Sequence, residues 1–245
     1  VAQLQRQVGD QIIERLDYIK KDFCDIIDVG SGTGYCHNQL RQLYPRGLFY
    51  SLDIAHTMLL KARKKLSFYR RWIKSQSKYI CGDIEAMPIA DNSVDLVFSN
   101  LTLQWVNDPQ KTYQELFRIL RPGGLLMFST LGPDTLKELR QSWQAADDKH
   151  RVHPFIDMHH VGDMLLGAMF SDPVMDVEYY TLQYKSVNDL MCELKKLGAH
   201  NAQTDRVNGL TGKTKLAKML KAYEQYRLDD QLPATYEVVF GHAWK

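Results

Sequence analysis

Asp28-Val29-Gly30-Ser31-Gly32-Thr33-Gly34 joins an acid and three alternating glycines to the apolar run Cys24 to Val29 that leads into them. Glycine admits positive φ and places no Cβ in the way of a ligand, and a helix starting after Gly34 would offer it free N–H groups. A second acid, Asp53, closes the run Leu48 to Leu52, at about the separation from the glycines at which a carboxylate takes the two hydroxyls of a ribose. A third, Asp83, follows Tyr79-Ile80-Cys81 and precedes Ile84, while Asn100-Leu101 follows the run Val94 to Phe98. These residues describe a site for a nucleotide-like ligand. Gly30, Ser31, Gly32 and Gly34 form the turn, and Asp28 orients it or accepts from an amino group of the ligand. Asp53 takes the ribose, Ile54 and Met58 wall the base, Asp83 and Ile84 meet its amino edge, and Asn100 and Leu101 supply backbone contacts. Singly, each acid reads as a turn former or helix cap. Their recurrence at successive strand ends is what argues for a site.

The spacing separates two kinds of ligand. A dinucleotide fold uses G-x-G-x-x-G to seat a pyrophosphate, whereas here the pattern is G-x-G-x-G followed by Tyr35, Cys36 and His37. That spacing disfavours NAD or FAD. The chain has 245 residues, 44% of them hydrophobic, enough for one large α/β domain or a domain with an insertion. Its net charge of +2 disfavours nucleic acid as a partner, and no apolar run approaches the roughly 20 residues of a membrane span. Cys24, Cys36, Cys81 and Cys192 lack C-x-x-C spacing and read as reduced core residues of a cytosolic protein, with neither disulfide nor zinc.

The elements that must position the site alternate. A helix over 10–20 places Ile12, Ile13, Leu16 and Ile19 inward, ahead of the strand at 24–29. A helix over 55–66 turns Met58, Leu59, Ala62 and Leu66 inward. After the strands at 79–81 and 94–98, a helix carries Tyr113, Leu116, Phe117 and Leu120 until Arg121-Pro122-Gly123-Gly124 stops it, and a buried strand follows at 125–130. Strands alternating with helices imply crossovers and a parallel sheet, with ligands at the carboxyl ends of its strands. Later come a helix through Trp143, a His-rich stretch from His150 to His160, a helix with Val187, Leu190, Met191, Leu194 and Leu197 inward, and another with Leu216, Met219, Leu220 and Tyr223. Residues 235–242 alternate like a terminal antiparallel strand. The organisation expected is a core over 1–131, a helical lid and acceptor region with late sheet strands over 132–234, and a terminal strand over 235–245 that completes the sheet.

The glycine turn, the segment Asp83 to Val97 and the segment Arg118 to Gly124 resemble the signature regions of class I S-adenosylmethionine-dependent methyltransferases, at class level over residues 24–131. That resemblance implies a Rossmann-like α/β fold with a mostly parallel seven-stranded sheet and helices on both faces. It implies S-adenosyl-L-methionine as cofactor and S-adenosyl-L-homocysteine as product. Ser99 to Trp105, Asp157 to Asp163, Asp172 to Asp176, Leu197 to Ala202, Gly209 to Gly212 and Pro233 to Lys245 are similar, more narrowly, to the malonyl-acyl carrier protein O-methyltransferases of bacterial biotin synthesis.

The narrower resemblance implies methyl transfer to the free carboxylate of malonyl-acyl carrier protein, or of malonyl-CoA, by a cytoplasmic bacterial monomer that needs no membrane and no metal. Composition and spacing do not supply that substrate. A carboxylate is ionised at neutral pH and needs no general base, so the lack of a Ser/His/Asp or Cys/His set does not count against an enzyme. Gln104 and Trp105 are candidates to line the methyl site, with core packing as the plainer role for Trp105. The family carries an N-terminal segment whose aromatic residue closes over the cofactor, and the chain as given starts after it, at about Ala2 to Gln7. Some relatives have Asn-Arg where this chain has His153-Pro154, so another cation must grip the acceptor carboxylate: Arg151, His153, His200 and Arg206 are the candidates. Two basic clusters, Lys61 to Lys74 and Lys195 to Lys218, offer docking faces for an acidic carrier protein or are simply solvated helix faces. Three other readings stay open: an arginine hydroxylase like a mitochondrial complex I assembly factor, a small-molecule methyltransferase, and a non-catalytic scaffold.

Overall fold

A computed structural model describes residues 3–65, 77–146, 151–196 and 212–245. The first helix, α1 (Gln3–Asp17), repeats Leu4, Val8, Ile12 and Leu16 at every fourth position, and all four are buried. It starts well before the helix expected at 10–20 and ends at Asp17, with Ile13 and Ile19 only half-buried. The i, i+4 stripe, not the local cluster of isoleucines, sets its inward face. There follow β1 (Asp25–Val29), α2 (Tyr35–Leu43), β2 (Leu48–Asp53), α3 (His56–Lys65), β3 (Ser77–Cys81) and β4 (Val94–Asn100). Helix α4 (Pro109–Ile119) opens with proline in its first turn and Asp108 as cap, the carboxylate accepting the Lys111 N–H at 3.0 Å. It stops at Ile119, and Leu120 with Arg121-Pro122-Gly123-Gly124, expected as the last helical residue and a stop, already belong to the strand that follows. Then come β5 (Leu120–Leu131), α5 (Lys137–Gln144), α6 (Met158–Gly167), β6 (Ser171–Tyr184), α7 (Val187–Lys196), α8 (Lys213–Tyr223) and β7 (Leu232–Trp244).

The seven strands form one sheet in the order β3-β2-β1-β4-β5-β7-β6. The pairs β1–β2, β1–β4, β2–β3 and β4–β5 are parallel, with Val29 opposite Leu52, Asp28 opposite Phe98, and Asn100 opposite Ser129. That register brings the carboxyl ends of β1, β2 and β4 to one edge, where the glycines, Asp53 and Asn100 stand. Gly123 N–H bonds Lys245 O and Gly132 N–H bonds Glu237 O, so β7 runs antiparallel to β5.

The chain folds as two compact units. The larger comprises Gln5–Thr130, Met158–Asp176 and Val239–Lys245, the smaller residues 3–4, Leu131–Asp157 and Val177–Val238. In the larger unit, Arg121 joins Asp25 at 2.8 Å to Asp95 at 2.7 Å, and Asp95 also accepts the N–H groups of Cys24 and Asp25, which pins the starts of β1 and β4. In the smaller unit, buried Glu138 accepts from the Thr235 hydroxyl and N–H, and Glu237 accepts the Asp134 N–H at 2.6 Å. All four cysteines are free, but only Cys36 is buried; Cys24, Cys81 and Cys192 are exposed, unlike the core residues expected. No helix among the described residues is long and apolar enough to cross a membrane.

His37 on α2 lies in the core between two hydroxyls, Ser77 Oγ 2.9 Å from Nε2 and Ser51 Oγ 3.2 Å from Nδ1. Burial, and then the charge of Arg41, lower its pKa from 6.5 to about 4. The unfolded chain therefore takes up a proton that the folded one refuses, so His37 favours folding above pH 6.5 and that contribution is lost as pH falls towards 4, a ceiling of about 3 kcal/mol. His37→Gln keeps a donor and an acceptor without titrating. Denaturant unfolding at pH 7.5 and 4.5 is expected to show a smaller acid loss in the variant than in the parent; equal losses refute the assignment.

Candidate functional site

Gly30, Gly32 and Gly34 all take left-handed backbone, with φ of 71°, 53° and 72°. A Cβ at Gly30 would collide with the Thr102 side chain, whereas one at Gly32 would meet nothing closer than Gly30 O at 4.0 Å. The turn is thus packed on one side and open on the other. The end of β2 holds it: Leu52 O accepts the N–H groups of Gly30 and Ser31, and Asp53 Oδ2 accepts the Gly32 N–H at 2.8 Å. Asp53 Oδ1 accepts the Ala55 N–H at 2.7 Å, so both oxygens bind backbone. Each retains a lone pair for a further donor.

Two buried groups beside the turn lack a partner of the kind they need. Ser31 Oγ is buried with no hydrogen-bond partner among the described residues. Asp28 is buried, and desolvation, with repulsion from Asp53 second, raises its pKa to about 7. Neither cause is a donor. A ligand carrying an ammonium or amino group would satisfy this carboxylate, which fits a nucleoside with an amino-acid tail better than a pyrophosphate.

At the end of β4, the Asn100 amide donates to Gln5 O at 2.9 Å, and its Oδ1 accepts from the Ser129 hydroxyl at 2.8 Å. Leu101 takes a φ of 49°, a strained value for a leucine, held by its N–H on Ser129 O and Oγ. Gln104 donates to Leu101 O at 2.8 Å and accepts from Thr130 Oγ1 at 3.4 Å, so both ends of its amide brace the strand end. Trp105 is 37% exposed, which sets aside core packing as its role.

The first turns of α1 form a wall that sequence reading missed. A Cβ at Gly9 would press on Cys36 Sγ at 2.9 Å and Asn100 Nδ2 at 3.1 Å. Asp10 accepts from the Tyr35 hydroxyl at 2.9 Å and from Gln39 at 2.5 Å, and the Arg6 guanidinium stands over the Tyr35 ring, 5.6 Å from its centroid. The stripe Leu4, Val8, Ile12 and Leu16 was the available signal for this helix.

The loop bearing Asp83 is fixed by Arg118 from α4. Its guanidinium binds Glu115 and Asp91 and donates to the carbonyls of Ile89 and Met87. The segments Asp83 to Val97 and Arg118 to Gly124 are therefore one structural unit. Asp83 is exposed and accepts the Glu85 N–H, while Glu85 in turn accepts from Asn107 and Asp108. Ile54 and Met58 are exposed, Met58 contrary to the inward position its helical spacing predicts, and Ile84 is half-buried.

The acceptor candidates do not gather in this unit. Arg151 and His153 belong to the smaller one, Arg151 over the Trp143 ring at 4.6 Å and His153 edge-on to Phe155 at 5.4 Å. His200 and Arg206 lie outside the described residues. Among the described residues no three His, Cys, Asp or Glu side chains are grouped to hold a metal ion.

Residues 27–128 match a family model described as a methyltransferase domain. The malonyl-[acyl-carrier protein] O-methyltransferase of Gallionella capsiferriformans is 49% identical over 245 residues, covering 100% of this chain and 84% of the relative. The malonyl-[acyl-carrier protein] O-methyltransferase 1 of Coxiella burnetii is 46% identical, covering 100% and 82%. Among solved structures, phosphoethanolamine N-methyltransferase 2 of Haemonchus contortus in complex with S-adenosyl-L-methionine is similar with a TM-score of 0.59 and 19% identity, covering 96% of this chain and 52% of that one. The [4+2]-cyclase SpnF is similar with a TM-score of 0.57 and 14% identity, covering 98% and 81%. The last two show the fold alone, and a cyclase among them illustrates that the fold does not choose the reaction.

The buried Asp28 carboxylate opposes folding when ionised. Its raised pKa means that folding favours the protonated acid, so its stabilising share is present below pH 3.8 and lost as pH rises through about 7, the opposite sign to His37. Asp28→Asn is expected to raise the unfolding free energy of the ligand-free protein at pH 8 by up to about 4 kcal/mol and to leave it little changed near pH 4. Chemical denaturation at the two pH values tests this, and a variant less stable than its parent at pH 8 contradicts it.

Proposed function

We propose that this chain, which belongs to the malonyl-[acyl-carrier protein] O-methyltransferase family, transfers the methyl group of S-adenosylmethionine to the free carboxylate of a malonyl thioester. The observation that carries this reading is the reach of the similarity. The methyltransferase model covers residues 27–128, whereas the 49% identity runs the whole length of the chain and so includes the half outside the cofactor-binding signature. The reading is of an early step of biotin synthesis, performed by a monomer in the bacterial cytoplasm, with neither nucleic acid nor membrane as partner.

In this reading Asp53 receives the ribose hydroxyls on its remaining lone pairs, Ile54 and Met58 flank the adenine, and Asp83 and Ile84 meet its amino edge. Asp28, whose pKa is raised to about 7 by burial and then by the charge of Asp53, ionises fully against the cofactor's ammonium. The strained backbone at Leu101 and the carbonyls around Asn100 lie at the sulfonium. The cofactor supplies an electrophilic methyl carbon on a positive sulfur. One oxygen of the malonyl carboxylate forms the new bond to carbon as the carbon–sulfur bond breaks and sulfur keeps the electron pair, giving a methyl ester and S-adenosylhomocysteine. No proton moves, because the acceptor is already ionised at neutral pH. The protein's task is to hold oxygen, carbon and sulfur in line and to exclude water. Gln104 secures the strand end behind that line and Trp105 lines it, with Arg151, His153 and His200 as the candidate grips for the acceptor carboxylate.

Mass spectrometry of malonyl-acyl carrier protein and of acetyl-acyl carrier protein after incubation with S-adenosylmethionine decides the reaction. A gain of one methyl on the malonyl form alone is expected; no gain on either, with cofactor binding intact, rejects the substrate. Lys213 and Lys218 are exposed on α8 and offer a basic face to an acidic carrier protein. Lys213→Glu combined with Lys218→Glu is expected to lower kcat/KM for malonyl-acyl carrier protein about tenfold at low salt and to spare malonyl-CoA. Equal losses with both acceptors would remove α8 as the docking face.

A further inference from the structure

S-adenosylmethionine has a carboxylate at its amino-acid end, and the acids so far placed in the site, Asp28, Asp53 and Asp83, repel it. The sheet order shows where that end must lie. With the ribose at Asp53 on β2 and the adenine towards the loop after β3, the rest of the molecule extends the other way, over β1 and β4. There the first turns of α1 cross, bound to the end of β4 through the Asn100 amide on Gln5 O.

Two cations stand by the glycine turn. Lys65 on α3 donates to Thr33 O at 3.1 Å, on the β2 side. Arg6 on α1 is exposed, has no carboxylate partner among the described residues, and is carried by the ring of Tyr35, the residue that follows Gly34. That ring is itself fixed, since its hydroxyl donates to Asp10. An aromatic face holds a guanidinium in place while leaving its N–H groups free for an anion. In the same turn Gln5 Oε1 is buried without a hydrogen-bond partner among the described residues, an acceptor suited to an ammonium.

We propose that Arg6, stacked on Tyr35, binds the carboxylate of S-adenosylmethionine, so that α1 reads the amino-acid end of the cofactor while the strand ends read its nucleoside. This rests on the cofactor assignment above and adds the group that the acids of the site cannot provide. Arg6 is a binding residue here and takes no part in bond making.

The test is equilibrium binding by calorimetry, with no turnover, of S-adenosylhomocysteine and of 5′-methylthioadenosine, which lacks the amino-acid end. Arg6→Gln is expected to weaken S-adenosylhomocysteine by about 10- to 100-fold, the usual range for a hydrogen bond to a charged group, and 5′-methylthioadenosine by less than about twofold. Arg6→Lys should recover part of the loss, and Lys65→Gln should affect both nucleosides alike. Equal weakening of both nucleosides by Arg6→Gln, or of neither, overturns the proposal. A second measurement needs no variant: the parent protein should bind decarboxylated S-adenosylmethionine at least about tenfold more weakly than S-adenosylmethionine, and equal affinities overturn it too. Parent protein that binds none of these nucleosides would remove the cofactor assignment itself, which the loss of discrimination alone would not.

Discussion

The carboxylate of Asp53 on the Gly32 amide is the contact from which the rest of the site follows. Three left-handed residues within five are open to glycine at little cost, but a glycine-rich turn left to itself would sample many shapes. Anchoring Gly32 to Asp53, and Gly30 and Ser31 to Leu52 O, selects one of them and ties the end of β1 to the end of β2. The geometry of the turn is therefore a property of the parallel register. Thr102 from beyond β4 closes against Gly30, and Ala62 from α3 comes to 3.1 Å from where a Cβ of Gly34 would be. What stays open is the face of Gly32.

The two ends of the same strands treat charge in opposite ways. Where β1 and β4 begin, Asp25 and Asp95 share Arg121, and Asp95 accepts two backbone amides as well; these bonds lower its pKa although burial works against them. Where the strands finish, Asp28 is buried with no donor among the described residues and Leu101 is held in a strained conformation. Satisfied groups at one edge and unsatisfied groups at the other mark the second as the place where a ligand completes the structure. Arg118 extends the satisfied set by fixing the loop after β3 through Met87 O and Ile89 O.

Much of this was readable in the sequence because the signals are local. An apolar run, a turn residue and a helix that repeats every 3.6 residues placed β1, β2, β4, α3 and α4, and with them Asp28, Asp53 and Asn100. Contacts made across the chain were not readable. Asn100 meets Gln5, ninety-five residues away, and nothing about either residue type predicts the other. Gln104 reads as a candidate to line the methyl site, and nothing in its type announces that its amide also braces Leu101 and Thr130. Strand β6 was not located because it looks unlike a core strand: Asp172-Pro173 opens it, and most of its residues are exposed or half-buried. It lies at the sheet edge, where a proline costs no ladder bond and side chains face water. Asp53 stands at the end of β2 as its position in the sequence predicts, while its bonds to the Gly32 and Ala55 amides depend on coordinates that spacing alone does not carry.

The strand order has a consequence for how the protein is made. Strand β6 touches the sheet only through β7, yet the ribosome synthesises β6 first, and β7 must then enter between it and β5. Until then β5 and β6 each present an unpaired edge with no neighbour to cover it. The sheet can close only after translation has passed the last of its strands, so a nascent chain stalled before β7 holds a nearly complete nucleoside site on a fold whose far side is sticky, which makes that interval the one in which a chaperone would matter most.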